Sequence, residues 1–267
     1  MILNRSVTNI VQRGTFVWAL LVVVPVGGFS KPCSKSTLNG TYALQASGNI
    51  IPPIPGLVGP FARAGRSTFD GKGNLSNVTV GSYNGAIFSE PYTGTYNVNA
   101  DCTAQVIANL GAPVTSPVAF TGVISEDGDL GQFILINPPI SSIHVTIRRQ
   151  RKKCSHEDLD GTFGLESSGV IVSGPFAGPH TRVGIVENSK GQFSASTTAT
   201  YNGAPAPENY SGTYVVNSDC TVEFQVNAPL TQGPAKYFGA FSDNGDKIVF
   251  IVSDPPGSVI LGSMSKQ

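Results

Sequence analysis

Short hydrophobic runs alternate with polar turn segments along most of the chain, and this pattern predicts a protein built almost entirely of β-strands. The runs are rich in Thr, Val, Ile, Phe and Tyr, which favour strands. No window has the sustained period of an amphipathic helix. In the first half of the chain the runs predict eight strands, at residues 41–50, 62–69, 75–83, 91–98, 103–108, 118–125, 131–136 and 143–149.

The segments between these runs carry the residues that tight hairpins require. Residues 70–74 read Asp-Gly-Lys-Gly-Asn, Asn84 precedes Gly85, and the segments 99–101 and 126–129 contain Asn, Asp or Gly. These residue types adopt the positive φ angles of such turns. We therefore expect each strand to pair with the next one along the chain in a meander.

The second half of the chain repeats the first, motif by motif and in the same order. The matching segments are Cys33-Ser34 with Cys154-Ser155, residues 38–42 with 159–163, Gly59-Pro60-Phe61-Ala62 with Gly174-Pro175-Phe176-Ala177, residues 83–86 with 201–204, and residues 94–103 with 212–221. The first copy has an extra apolar insertion at residues 52–57. The repeat predicts two domains, at residues 31–149 and 154–267, joined by a short linker at residues 150–153.

Eight consecutive antiparallel strands can close into an up-and-down barrel, which leaves no exposed sheet edge to invite aggregation. The sequence therefore predicts an all-β protein of two tandem eight-stranded barrels. Two β-sandwiches are the alternative, because strand counts near seven also fit that architecture.

The first 30 residues have the pattern of a secretory signal peptide. Arg5 and Arg13 form a basic start, residues 16–26 are apolar, and Gly28-Phe29-Ser30 offers small residues for cleavage before Lys31. An uncleaved membrane anchor is the alternative, but the apolar core is shorter than the roughly 20 residues that span a bilayer. We expect a secreted protein, extracellular or periplasmic, without a stable membrane anchor.

Export allows disulfide bonds, and four Cys residues permit three pairings. The repeat favours Cys33 with Cys102 and Cys154 with Cys220, because each domain then has an equivalent bond that ties its first segment to a later strand. In the chain-entropy model each bond contributes roughly 4 kcal/mol. A cysteine-based metal site is disfavoured, since no Cys-x-x-Cys spacing is present.

Charge and composition argue against a protein that binds nucleic acids or sugars. The 17 Lys and Arg residues balance the 17 Asp and Glu residues, so there is no electrostatic case for a nucleic-acid partner. The single Trp, Trp18, lies in the predicted signal segment. Without it the chain has no indole ring to stack on sugars or bases.

No group of residues has the pattern of a catalytic, metal or cofactor site. The three His residues have no counterpart in the other copy: His144 is placed in a strand, His156 beside Glu157 and Asp158, and His180 in a Gly-Pro loop. A Gly-x-Ser-x-Gly elbow is absent. The acidic turn at residues 126–129 lacks the spacing of a calcium loop and is better explained as a hairpin turn.

Arg63 and Arg182 fall at matching places, each two residues before a glycine in the second strand of its copy. An outward, solvated position is the favoured interpretation for both. If this face points inward instead, a buried Arg would meet a carboxylate or close the barrel floor. On that alternative both arginines belong with the candidate ligand-binding residues.

Two motif sets resemble known families. Leu38-x-Gly40-Thr41-Tyr42 and Leu159-x-Gly161-Thr162-Phe163 resemble the Gly-x-aromatic opening of calycin barrels, the lipocalin-like group. The order of the repeated motifs is similar to secreted bacterial proteins of the allene oxide cyclase barrel type. In lipocalins the opening aromatic is Trp, backed by an Arg from the last strand; here the counterparts are Tyr42 and Phe163, with Arg149 and Lys266. The resemblance implies a barrel with a central pocket and no particular activity.

A barrel without catalytic groups favours a secreted protein that binds a small apolar ligand. The candidate ligand-binding residues are strand aromatics and the two arginines: Tyr42, Phe61, Arg63, Phe69, Tyr96, Phe163, Phe176, Arg182 and Tyr214. A structural or adhesive protein with an extracellular protein partner is the second hypothesis, motivated by the insertion at residues 52–57. A barrel-type isomerase or cyclase is the third, and it would need a polar group such as Arg63 or a Glu buried in an apolar pocket.

Overall fold

The first half of the chain forms a closed barrel of eight antiparallel strands. A computed structural model describes residues 32–51, 56–114, 117–139, 141–227 and 233–267. The strands of the first barrel are β1 (Asn39–Ile50), β2 (Gly59–Asp70), β3 (Asn74–Tyr83), β4 (Ala86–Val98), β5 (Thr103–Asn109), β6 (Pro117–Ile124), β7 (Leu130–Asn137) and β8 (Ser141–Arg149). Each strand pairs with the next, and β8 closes the barrel on β1.

The second half builds a second closed barrel of the same topology. Its strands are β9 (Gly161–Ile171), β10 (Gly178–Ser189), β11 (Gln192–Tyr201), β12 (Ala204–Val216), β13 (Thr221–Val226), β14 (Ala235–Ser242), β15 (Lys247–Asp254) and β16 (Ser258–Lys266). Strand β16 closes this barrel on β9. The prediction of two tandem eight-stranded barrels is confirmed, and the sandwich alternative is wrong because neither sheet has an open edge.

The fourth strand begins five residues earlier than the predicted segment 91–98. Asn84 and Gly85 have φ angles of 48° and 86°, as a two-residue hairpin turn requires. Pairing therefore resumes at once, with Ala86 opposite Tyr83. Pro91, the predicted first residue, lies within β4 opposite Val78, although proline is rare inside central strands.

Strand pairing corrects one part of the predicted repeat. Phe61 lies opposite Tyr83 in the first barrel, and His180 lies opposite Tyr201 in the second. The counterpart of Gly59-Pro60-Phe61 is therefore Gly178-Pro179-His180. The longer identity at Gly174-Pro175-Phe176-Ala177 precedes β10 and has no equivalent place in the sheet. His180 thus belongs to β10, and its predicted loop position is wrong.

Both disulfide bonds have the predicted pairing, Cys33 with Cys102 and Cys154 with Cys220. Each bond ties the segment before the first strand to the turn between the fourth and fifth strands. A short 3₁₀ turn follows each leading cysteine: η1 (Lys35–Thr37) and η2 (His156–Leu159). We call this end of each barrel its lower end.

The two barrels pack side by side within one unit that extends from Lys31 to Gln267. The outer face of β2 presents Ala62 and Ala64, which lie in one buried cluster with Ile251 and Val259 of the second barrel. Backbone contact reinforces this packing, because the Gly257 N–H donates to the Gly85 carbonyl at 2.8 Å. Small side chains on β2 allow the close approach of the two sheets.

Two sequence predictions fall on residues outside the described ranges. The predicted signal peptide at residues 1–30 is one, and most of the insertion at residues 52–57 is the other. Leu57, at the end of the insertion, is buried in the core of the first barrel. Within the described ranges, no helix has both the length and the apolar character needed to cross a bilayer.

Candidate functional site

The interior of the first barrel holds an ion pair between Arg63 on β2 and Glu90 on β4. Arg63 Nη2 donates to Glu90 Oε2 at 2.5 Å and to the Tyr83 hydroxyl at 2.6 Å. Tyr83 in turn donates to Glu90 Oε1 at 2.7 Å. The Arg63 and Glu90 side chains are only 5% and 3% exposed. The favoured interpretation of Arg63 as an outward, solvated residue is therefore wrong.

The pairing of β2, β3 and β4 explains why these side chains meet. Alternate residues of a strand face the barrel interior. Arg63 lies opposite Gly81 of β3, while Glu90 lies opposite Thr79 two residues away. A Cβ atom at Gly81 would lie 2.6 Å from Glu90 Oε2. Glycine at this position leaves the space that the carboxylate occupies.

Electrostatics keep Arg63 charged and the neighbouring phenols protonated. Burial alone would lower the pKa of Arg63, but the neighbouring Tyr83, Tyr92 and Glu90 raise it above its usual value. Burial raises the pKa of Tyr83 and of Tyr92, against the opposing effect of Arg63. At neutral pH the cluster therefore offers a charged guanidinium and two protonated phenols.

Aromatic rings surround the guanidinium. The Arg63 Cζ atom lies 5.4 Å from the ring centroid of Phe61 and 5.2 Å from that of Tyr92, within the range of cation–π attraction. The rings shield the ion pair from water and hold the Arg63 side chain in one position.

This cluster lies in the wall of a cavity of about 860 Å³, a volume that includes the space open to solvent at its mouth. Besides the polar cluster, the described part of the wall includes Ser141 and the pair Ser67 and Asn77, whose side chains are hydrogen-bonded to each other. The remaining wall is mainly apolar and includes Leu44, Phe69, Val106, Ala108, Phe120 and Phe133. Leu110 and Val114 line the cavity from the connection between β5 and β6.

The second barrel repeats the cluster at the equivalent positions. Arg182 Nη2 donates to Glu208 Oε2 at 2.7 Å and to the Tyr201 hydroxyl at 2.8 Å. Tyr201 donates to Glu208 Oε1 at 2.8 Å. The Arg182 and Glu208 side chains are 6% and 2% exposed, so Arg182 is also inward rather than solvated. A neighbouring ring, that of Tyr210, lies 5.5 Å from the guanidinium carbon.

The inner cavity of the second barrel is smaller, about 400 Å³. Strand pairing places Phe224 and Val226 opposite Tyr214 and Gly212, where the first barrel has the smaller Val106 and Ala108 opposite Tyr96 and Gly94. Larger side chains on β13 therefore fill space that remains empty in the first barrel.

His180 is the main chemical difference between the two clusters. It takes the place of Phe61, is 1% exposed, and its ring centroid lies 5.0 Å from that of Tyr201. Neither ring nitrogen has a hydrogen-bond partner of ordinary geometry among the described residues. Burial, and then the charge of Arg182, lowers the pKa of His180 to about 4.

The predicted ligand-binding residues divide into three groups. Phe61, Arg63 and Phe69 line the first cavity, and Arg182 lines the second. Phe176 lies at the mouth of the second barrel and packs against Tyr201. The other four do not line either cavity; they lie at the lower ends of the barrels: Tyr42, Tyr96, Phe163 and Tyr214.

These four side chains stabilise the lower ends of the barrels through hydrogen bonds or contacts with a cation. Tyr42 donates to the Gly128 carbonyl at 2.9 Å, and Arg149 of β8 lies over its ring at 5.0 Å. Lys266 of β16 lies 6.0 Å from the Phe163 ring. Each opening aromatic is thus backed by a cation from the last strand of its barrel.

Sequence reasoning missed the carboxylates and most of the tyrosines of the two clusters. Glu90 and Tyr92 recur as Glu208 and Tyr210, a Glu-x-Tyr pattern at the same place in both copies. Tyr83 and Tyr201 lie in the repeated segments 83–86 and 201–204, which indicate the duplication but no site. An acidic residue repeated opposite a repeated arginine is the signal that could have identified the ion pairs.

No group of three or more His, Cys, Asp or Glu side chains suited to a metal ion occurs in the described part of the chain. The acidic turn at residues 126–129 is a hairpin turn, in which Ser125 and the Asp129 N–H both donate to Asp127.

Comparison with known proteins gives several structural matches of low similarity. Transferrin binding protein B of serogroup B Neisseria meningitidis is 8% identical over 85% of this chain and 76% of that chain, with a TM-score of 0.34. The Aeromonas veronii immune modulator A is 8% identical over 89% of this chain and 97% of that chain, with a TM-score of 0.27. No protein-family model matches the chain, and no curated protein matches it. Similarities this low carry no information about the function of this chain.

Proposed function

We propose that the first barrel binds a small, mainly apolar molecule that carries one hydrogen-bonding group. The observation that supports this proposal is the cavity of about 860 Å³, including the space open to solvent, whose mainly apolar walls carry a convergent polar cluster at Arg63. Apolar walls with a few placed polar groups are the usual make-up of a small-molecule site. The apolar body would lie among Leu44, Phe120 and Phe133, with its polar group toward Arg63, Tyr83 and Tyr92.

The charge balance of the cluster favours an uncharged ligand. Glu90 already neutralises Arg63 at 2.5 Å. A second carboxylate in the cavity would be buried without a cation of its own, at a high desolvation cost. A hydroxyl, a carbonyl or an uncharged aromatic amine needs no such compensation.

Binding fits the cluster better than proton-transfer catalysis, the third sequence hypothesis. An isomerase needs a group whose pKa lies near the working pH. Burial raises the pKa of Tyr83 and of Tyr92, so both phenols stay protonated. The cluster therefore has the character of a fixed set of hydrogen-bonding groups.

We further propose that the protein works outside the cytoplasm. Two disulfide bonds fit an oxidising compartment, and the predicted signal peptide fits export.

The double substitution Val106→Phe/Ala108→Val tests the site. It gives the first barrel the residues that the second barrel already has at Phe224 and Val226, so the fold has a precedent for both side chains. We expect the affinity for 1-aminoanthracene, an apolar fluorophore with one amine, to fall at least about tenfold because the cavity is filled. Fluorescence titration measures the change.

Ile107→Phe is the matched control, since Ile107 lies between the two positions but is 48% exposed on the outer face. It should bind the fluorophore like the unmodified protein. If the unmodified protein binds neither 1-aminoanthracene nor N-phenyl-1-naphthylamine, or if the double variant binds as tightly as the control, the proposal is wrong.

A further inference from the structure

The mouth of the second barrel contains a cleft beside the inner cavity. It has a volume of about 760 Å³, including the space open to solvent. Its walls among the described residues are mainly apolar, with Phe176 on one side, Ala235 and Ile260 from β14 and β16, and Pro255 and Pro256 from the turn before β16. The cleft is thus a mainly apolar recess that is open to solvent.

Arg182 and Tyr237 form the floor of this cleft and also line the inner cavity below it. Arg182 Nη1 donates to the Tyr237 hydroxyl at 3.4 Å, a long and weak hydrogen bond. The first barrel has Phe120 where the second has Tyr237, because Phe120 lies opposite Val106 and Tyr237 opposite Phe224. The Arg182–Tyr237 contact therefore separates the inner cavity of the second barrel from the cleft at its mouth. In the first barrel the corresponding space is one continuous cavity.

The guanidinium of Arg182 has one nitrogen with capacity for a better partner. Nε and Nη2 bond Glu208 at 3.1 and 2.7 Å, and Nη2 also bonds Tyr201. Only the weak contact to Tyr237 engages Nη1 among the described residues. A ligand oxygen at ordinary distance would improve on that contact, since hydrogen bonds to charged donors are the strong ones.

Charge selects the kind of oxygen. Glu208 already compensates Arg182, so an anionic ligand would add a buried negative charge beside Glu208. A neutral acceptor oxygen, such as a ketone or amide carbonyl, adds none.

We propose that the mouth of the second barrel is a separate binding site for a small neutral molecule with an apolar or aromatic body and a carbonyl oxygen that accepts a hydrogen bond from Arg182. The site does not depend on ligand binding in the first barrel. The duplicated domains then have different ligand preferences, set by Tyr237 and Phe120.

The test compares two probes of the same shape, acetophenone and α-methylstyrene, in which the carbonyl oxygen is replaced by a methylene group. It uses the full protein with Val106→Phe/Ala108→Val, so that the first cavity does not contribute. NMR titration should show acetophenone binding about tenfold more tightly than α-methylstyrene, with shifts at the amides of Ala235 and Ile260. Equal affinities, or shifts confined to the first barrel, would overturn the proposal.

Two variants locate the site. Ala235→Phe fills the cleft and should abolish acetophenone binding, whereas Val215→Phe adds similar bulk at an exposed position of the same barrel and should not. Tyr237→Phe removes the competing hydroxyl and keeps the ring, so acetophenone should bind at least as tightly as before. Binding that survives Ala235→Phe, or that is lost in Tyr237→Phe with the fold intact, contradicts the assignment.

Discussion

Single residues at equivalent positions give the two barrels different interiors. Arg63 and Arg182 keep the same buried ion pair, whereas Phe61 is replaced by His180. A buried His with no ordinary hydrogen-bond partner costs stability when it is charged. The second barrel should therefore respond to pH through a residue that the first barrel lacks.

We predict that stability falls between pH 6.5 and pH 4 through His180. Its pKa in the folded protein, about 4, lies below the ordinary value of 6.5, so the unfolded chain takes up the proton first as pH falls. The contribution of neutral His180 to the free energy of unfolding is complete above pH 6.5, and about 3 kcal/mol of it is lost by pH 4. Urea unfolding at several pH values measures the loss.

His180→Phe, which introduces the residue found at Phe61, is the informative variant. Its unfolding free energy should depend less on pH over this range than that of the unmodified protein. An identical pH dependence in both proteins would show that His180 does not titrate differently on folding.

Residue-scale features were the hardest to predict from the sequence. The Leu-x-Gly-Thr-aromatic motif and the cysteine pairing could be predicted, because both occur at equivalent positions in the two copies. The inward direction of Arg63 was not, since the favoured place of a lone arginine is at the surface. Its partner Glu90 lies 27 residues further along, and only the register of three strands shows that the two meet.

At the scale of the element, strand β2 has two different tasks on its two faces. Phe61 and Arg63 line the cavity, while Ala62 and Ala64 pack against the second barrel. The counterpart strand β10 has Val183 in the place of Ala64, and Val183 is 64% exposed. Equivalent strands therefore tolerate different changes on their outer faces.

Ala64→Leu should destabilise the protein by about 1–3 kcal/mol, because the added atoms overpack the buried contact with Ile251 and Val259. Val183→Leu, at the equivalent position of β10, should change stability by less than about 0.5 kcal/mol. Denaturant unfolding of both variants measures the difference. Equal effects would mean that the barrel contact contributes nothing to stability.

Element boundaries were largely predictable, and the misplaced ones have physical causes. Alternating runs and turn residues located all eight strands of the first barrel. The predicted start of β4 is too late, because pairing resumes directly after the two-residue turn at Asn84 and Gly85. The match between the two Gly-Pro-Phe-Ala segments predicted the wrong counterpart for residues 59–61. Four identical residues favoured that match, but the true counterpart is set by strand register, which cannot be read from the sequence.

At the scale of the whole molecule, each barrel is closed by the same three devices: strand pairing, a disulfide bond and an aromatic ring at the lower end. The disulfides close loops of 69 and 66 residues. Loop length is nearly equal, so the two bonds should constrain the unfolded chain to the same extent.

Removing either bond, as Cys33→Ala/Cys102→Ala or Cys154→Ala/Cys220→Ala, should lower the free energy of unfolding by roughly 4 kcal/mol. Each variant acts as the control for the other. Guanidinium unfolding under non-reducing conditions provides the comparison. A large difference between the two variants would show that native contacts around the cysteines, rather than loop closure, determine their effect.

The barrel contact described above joins unlike faces, since β2 of one barrel meets β15 and β16 of the other. The two barrels are therefore related by a head-to-tail arrangement, in which different faces meet, and not by a two-fold axis. Each barrel also has the counterpart of the face that it does not use in this contact. Val183 on β10 of the second barrel and Ile134 on β7 of the first are both exposed. Because Val183 takes the place of the small Ala64, the exposed face of β10 does not reproduce this joint, and the contact between the barrels is specific to one pair of faces.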